Sequence, residues 1–138
     1  MDIALLEKAL INDDNLSIIN TNIQEIKTTK NNILQQLNLD RNNLKSFNKK
    51  LNDYKYIDNI KDLHYGSNVR WINLKKINNI SLNTVAILCD IKILEKGIAL
   101  TLKTFSNRFI TLYLNENLIF QKLNKEEKII LKAISSLK

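Results

Sequence analysis

From residue 16 to residue 54 the apolar positions recur on alternating spacings of three and four: Leu16, Ile19, Ile23, Ile26, Ile33, Leu37, Leu44, Phe47, Leu51 and Tyr54. Only Lys30 and Asp40 interrupt the series. A repeat of 3.5 residues keeps one narrow helix stripe turned towards a partner helix, which is the requirement of a coiled coil. The pattern therefore predicts a single helix about 58 Å long at 1.5 Å rise per residue. With Leu16 at position a, Lys30 falls in the a series and Asp40 in the d series. The antiparallel register of greatest overlap sets Leu16 against Tyr54, Ile23 against Phe47, Ile26 against Leu44, and Lys30 against Asp40. It matches two opposite charges where either alone would be costly to bury. The expectation is an antiparallel homodimer held by these twelve residues. Ile18, Leu34 and Leu39 lie off the seam, which keeps open a different protein partner or packing within the chain.

On either side of the seam the pattern changes. Ile3, Leu6 and Leu10 predict a short amphipathic segment at the start, and Asn12-Asp13-Asp14-Asn15 supplies turn and capping chemistry. Ile57, Ile60 and Leu63 suggest a short second helix over 55–65. Gly66-Ser67-Asn68 then marks a boundary, after which apolar and polar residues alternate as in strands. Strands are expected over 69–74, 84–94, 98–105, 109–114 and 118–123. Glu95-Lys96-Gly97 reads as a hairpin turn in which Gly97 takes positive φ. Asn124 with Glu127 three residues on is a capping-box start for a last helix with Ile130, Leu131, Ile134 and Leu137 on one face.

These elements define an α+β chain in two parts: a helical coiled-coil region over 1–65, and a small basic β-domain with a C-terminal helix over 66–138. Five short strands joined by tight turns suggest an antiparallel barrel or curved meander. In strand count and length residues 66–123 resemble an SH3-like barrel. That resemblance implies a recognition module.

Charge supports the division. Residues 1–64 hold nine Lys and Arg against nine Asp and Glu, whereas 65–138 hold twelve against five, which is the whole net charge of +7. Lysine far outnumbers arginine, which occurs only at Arg41, Arg70 and Arg108. Ile, Asn and Lys all have AT-rich codons, so base composition accounts for part of the basic balance.

Candidate chemistry is sparse. The two glycines, Gly66 and Gly97, are isolated and make no phosphate-binding loop. One His and one Cys, His64 and Cys89, cannot supply a zinc site, so no metal or other cofactor is expected. Cys89 lies in the most apolar expected strand and reads as an inert core thiol. Asp90 should face the opposite side of that strand, which makes a nucleophile–acid pair poor. No enzyme is expected. Arg70, Lys75, Lys76, Lys92, Lys103 and Arg108 remain as candidates for contact with a partner or a nucleic acid. Alternation sets Arg70, Lys92 and Lys103 facing outward together, and sends Trp71 into the core.

The apolar runs are too short to span a bilayer, Met1-Asp2-Ile3 does not open a secretory signal, and a single cysteine fits a reducing compartment. The expected location is intracellular, without membrane association or secretion. In composition and size the chain resembles small virion or assembly proteins of large DNA viruses with AT-rich genomes. The resemblance implies a structural role, located in the virion if the chain is viral. The expectation is thus a non-enzymatic assembly or adaptor protein that oligomerises through its helical region and docks a protein through its basic β-domain. The alternative is a nucleic-acid-associated protein whose paired basic domains hold DNA or RNA by charge.

Overall fold

A computed structural model of the chain describes residues 2–76 and 78–137. It forms two compact units, one of Met1–Asn48 with Leu123–Lys138 and one of Lys49–Lys122. The chain thus divides differently from a cut at residue 65, because its last helix returns to the N-terminal helices. No helix among the described residues is long and apolar enough to cross a membrane.

The helical unit contains α1 (Ile3–Ile11), α2 (Leu16–Ile19), α3 (Ile23–Gln35), the start of α4 (Arg41–Lys50) and α5 (Lys125–Ser136). The expected continuous coiled-coil helix over 16–54 does not exist. Asn22 adopts an extended backbone and its side chain accepts from Glu25 N, which starts α3 afresh. Asn38 takes φ 56°, and Asp40 Oδ1 accepts from Asn43 N at 2.7 Å to start α4. At each fresh helix start the first backbone N–H groups have no carbonyl four residues back, and these side-chain oxygens satisfy them. Asp40, expected to pair with Lys30 across a dimer, is therefore an exposed cap.

The core of this unit joins Ala9, Ile18 and Ile26 to Ile129, Ile130 and Leu131 of α5, with Leu5, Leu6, Ile19, Leu123 and Ile134 around them. The buried side of α1 is thus centred on Ala9, while Ile3 and Leu10 are exposed. The capping box of α5 is complete: Glu127 N donates to Asn124 Oδ1 at 2.8 Å, and Asn124 N donates to Glu127 Oε1 at 3.0 Å. Glu126 Oε1 accepts from Asn12 Nδ2 at 3.1 Å and from Asn15 Nδ2 at 3.0 Å. The first turn of α5 is thereby tied to the turn between α1 and α2. Asn15 is buried, and its amide also donates to Ala9 O.

The second unit is one antiparallel sheet of six strands: β1 (Tyr54–Ile57), β2 (Asn68–Asn73), β3 (Ala86–Leu94), β4 (Gly97–Thr104), β5 (Phe109–Tyr113) and β6 (Asn117–Lys122). Its order is β1-β6-β2-β3-β4-β5. This replaces the five-stranded SH3-like barrel expected from the alternation. The extra strand is Tyr54–Ile57, the end of the seam, and the expected helix over 55–65 is this strand followed by a single 3-10 turn at Ile60–Asp62. β1 pairs with β6 at the other end of the sheet, Tyr56 lying opposite Phe120 and Ile57 opposite Ile119. One sheet face builds a core from Ile57, Val69, Trp71, Ala86, Leu88, Leu100, Leu102 and Ile119, with Leu63 from the connecting segment. Near β1 the second face is buried too, at Tyr54, Ile72 and Phe120.

Two polar details fix this sheet. Gln121 is buried, its Oε1 accepting from His64 N and its Nε2 donating to Asp62 O, both at 2.8 Å. In β3 the register shifts between Leu88 and Asp90, so Cys89 is the extra residue of a bulge. Cys89 is exposed rather than in the core, because it follows the inward-facing Leu88 and alternation turns it outward, while the bulge lets Ile91 resume the inward series.

Replacing Asp40 or Asn22 by Ala should each lower unfolding free energy by about 1 kcal/mol, as loss of an N-cap does. Gln121→Leu should cost about 1–3 kcal/mol by stranding the His64 N–H and the Asp62 carbonyl. Urea denaturation followed by circular dichroism measures both, and an unchanged midpoint in either case contradicts the assigned bonds.

Candidate functional site

The sheet register sorts the candidate cations. Val69, Leu88 and Leu102 face the core, so their neighbours Arg70 and Lys103 face the other way. The bulge at Cys89 restores the same parity beyond it: Asp90 lies opposite Thr101, Lys92 opposite Ala99, and Ile91 opposite the core residue Leu100. Without the bulge Lys92 would point into the core. Three rows then run across β3, β4 and β5 on the outer face. They read Ile87–Lys103–Phe109, Asp90–Thr101–Thr111 and Lys92–Ala99–Tyr113.

Arg70, Lys92 and Lys103 do share this face, but they are not equivalent. Arg70 is half-buried and its Nε donates to Asn83 O at 3.1 Å, which holds the guanidinium against the chain. Lys92 lies 4.0 Å from Asp90 Oδ2 with both groups well exposed, a pair worth little in water. Lys103 Nζ stands 5.8 Å from the centre of the Phe109 ring, within cation–π range. Lys75 sits elsewhere, paired with Glu116 Oε1 at 2.9 Å, and Lys76 is exposed in the following loop. Trp71 is buried in the sheet core, so it offers no exposed ring.

The exposed rings come instead from Phe105 (71% exposed) and Phe109 (66%). They flank the β4–β5 turn, which is closed by its own hydrogen bonds. Thr104 N donates to Arg108 O at 2.8 Å, Arg108 N to Thr104 Oγ1 at 3.2 Å and Asn107 N to Thr104 O at 3.0 Å, while Thr104 and Ser106 share a hydroxyl bond of 2.9 Å. Asn107 takes the left-handed φ of 63° that a three-residue hairpin loop needs. Arg108 follows it, exposed. Lys103, Phe105, Arg108 and Phe109 are thus held within one tight hairpin end, and among the described residues neither Lys103 nor Arg108 has an acidic partner. Sequence reasoning named the two cations and missed the two phenylalanines. The only signal was their place on either side of the Ser106-Asn107-Arg108 turn, at the end of the sheet.

The residues assigned to the expected dimer seam scatter. Ile26, Lys30, Phe47, Leu51 and Tyr54 are buried by the chain itself, and Ile19, Ile33, Leu37 and Leu44 are half-buried. Leu16, Ile23 and Asp40 are exposed. Ile18 and Leu34, off the seam, are fully buried. No single stripe is left open along 16–54.

Among the described residues no three His, Cys, Asp or Glu side chains lie close enough to hold a metal ion. What the outer face offers is positive charge and aromatic area. No protein-family model matches the chain, and no curated protein or solved structure matches it either.

Burial raises the pKa of Tyr54, with Arg70 opposing the rise and Asp53 adding to it, and burial with Asp58 raises that of Tyr56. A phenol held neutral in the folded state contributes stability that is whole below its unfolded value of about 10. That contribution is lost as pH rises through the raised folded value, since the unfolded chain then binds fewer protons. Unfolding free energy should fall above about pH 10, and fall less in Tyr54→Phe. Urea titrations across that range check this, and equal losses in the two proteins contradict it.

Proposed function

We propose that the protein is a non-enzymatic adaptor or assembly component that docks an anionic partner through the outer face of β3, β4 and β5. One observation carries the reading. Residues 49–122 hold twelve Lys and Arg against six Asp and Glu, so this unit carries +6 of the chain's +7, and its outer face bears Lys92, Lys103 and exposed Phe109, with Arg108 and Phe105 exposed in the adjoining β4–β5 turn. Lys92 and Lys103 stand four residues apart along the sheet, about 14 Å. That spacing suits an extended acidic segment better than a single small anion. The partner favoured is an acidic stretch of another protein, with the phenylalanines burying apolar side chains between the charges.

A nucleic-acid reading is favoured by one specific feature, the juxtaposition of two exposed rings with Lys103 and Arg108. Single strands are held by bases stacking on aromatic rings while cations meet the phosphates. Localisation inside a cell or a virion accords with either partner.

Fluorescence anisotropy separates the two readings, using a labelled acidic peptide and a labelled single-stranded oligonucleotide at low and physiological salt. Adaptor function requires peptide binding that survives physiological salt and drops about tenfold or more in Lys103→Glu/Arg108→Glu. Tighter oligonucleotide binding with a steep salt dependence, lost in Phe105→Ala/Phe109→Ala, favours the nucleic-acid reading. Failure of both probes at physiological salt contradicts the docking face.

A further inference from the structure

Strand β5 ends the sheet: it pairs with β4, and among the described residues no strand pairs with its other side. Edge strands of folded proteins are normally blunted by charge, proline, a bulge or shortness. β1, at the opposite edge, is four residues long and carries Lys55. β5 reads Phe109-Ile110-Thr111-Leu112-Tyr113, with no charge, no proline and no irregularity in its pairing. An uncharged strand of high β-propensity left open in this way is a template for pairing.

The strand is also complementary to itself. Laid antiparallel about a two-fold axis through Thr111, Phe109 meets Tyr113, Ile110 meets Leu112, and Thr111 meets Thr111. Aromatic faces aromatic, aliphatic faces aliphatic, and the threonines face each other, all pairings that favour strand association. Backbone direction agrees with this register. Thr104 and Arg108 close the hairpin with a backbone bond, so by the alternation of an antiparallel ladder Ile110 and Leu112 aim their backbone groups at β4. Phe109, Thr111 and Tyr113 turn theirs to the open edge. Two copies can then bond Thr111 to Thr111 and Tyr113 N–H to the Phe109 carbonyl. The Tyr113 carbonyl also accepts from Asn117 Nδ2, so the bonds just named are the ones without competition.

Charge permits the same arrangement. A chain of net charge +7 repels its own copy in general, but β5 brings no charge to the axis. Arg108 of each copy comes opposite Leu114 of the other, next to the 3-10 turn that carries Glu116.

We propose that the protein forms a two-fold symmetric dimer through antiparallel pairing of β5 with β5 of a second copy. The two sheets become one, and the outer faces bearing Lys92 and Lys103 lie side by side. The assembly is independent of any ligand on those faces, so its test stands apart from the test of docking. It also replaces the helical seam as the site of self-association.

Thr111 is exposed on the outer face, so charged replacements leave the folded monomer intact, as circular dichroism will verify. Thr111→Lys and Thr111→Glu each set like charges opposite one another at the axis. Analytical ultracentrifugation should show a dimer for the wild type and for the uncharged control Thr111→Val at tens of micromolar. Each charged variant should dissociate about tenfold or more readily, and an equimolar mixture of the two should recover the dimer. A monomeric wild type at those concentrations overturns the proposal. So does wild-type dimerisation by either charged variant alone, and so does a mixture that stays monomeric.

Discussion

Strand β6 is the one hydrogen-bonded neighbour that β1 and β2 share, and it is the last strand of the chain to be made. Until Asn117–Lys122 is in place, β1 lacks its strand partner and β2 holds its two-residue pairing with β3 and a single bridge from Ile72 to Leu82. Gln121 adds to this dependence, since its amide satisfies both the His64 N–H and the Asp62 carbonyl in the segment linking β1 to β2. Immediately after β6, α5 supplies Ile129, Ile130 and Leu131 to the core of the helical unit, and Glu126 to its buried asparagine. Residues 117–136 therefore complete the hydrogen bonding of one unit and the apolar core of the other. Such long-range closure is costly in chain entropy and slow to form, so the earlier helices and the β3–β4–β5 meander supply the local structure on which it acts.

That dependence explains what could be read from the residue pattern alone. Features settled by near neighbours were legible: the capping box of Asn124 and Glu127, the Gly97 hairpin with its positive φ, the inward Trp71, and the strands from β2 to β6 to within two residues at each end. The seam misled because spacing alone does not distinguish one helix from several in succession. Leu16 to Tyr54 keeps its alternation of three and four across two breaks, and the breaks are made by Asn22 and Asp40, residues that a helix surface tolerates but a cap prefers. Tyr54 closed the apparent seam while in fact opening β1, whose place beside β6 is set by a residue run sixty positions away. No local signal reports such a pairing.

The contact surface was partly legible for a similar reason. Alternation put Arg70, Lys92 and Lys103 on one face, and they are there, but only because the extra residue at Cys89 offsets an apolar run that reads as buried on both sides. The thiol expected to be in the core is exposed at this bulge, next to the inward-facing Leu88. Phe105 and Phe109 passed unnoticed because apolar residues in strands are read as core by default, whereas Phe105 lies in the β4–β5 turn and Phe109 on the outer face. The outer face and the β5 edge adjoin on one small meander and share Phe109, the first bearing Lys92 and Lys103 and the second uncharged.

The dependence of both units on the C-terminal segment is tested most directly by hydrogen exchange of the intact chain under increasing denaturant. The account predicts that the Leu118–Gln121 amides are among the last to exchange, that β1 loses protection no later than they do, and that α1 loses protection together with Ile129–Leu131. Protection retained in β1 after β6 has become fully exchangeable, or in α1 after α5 has, would contradict it.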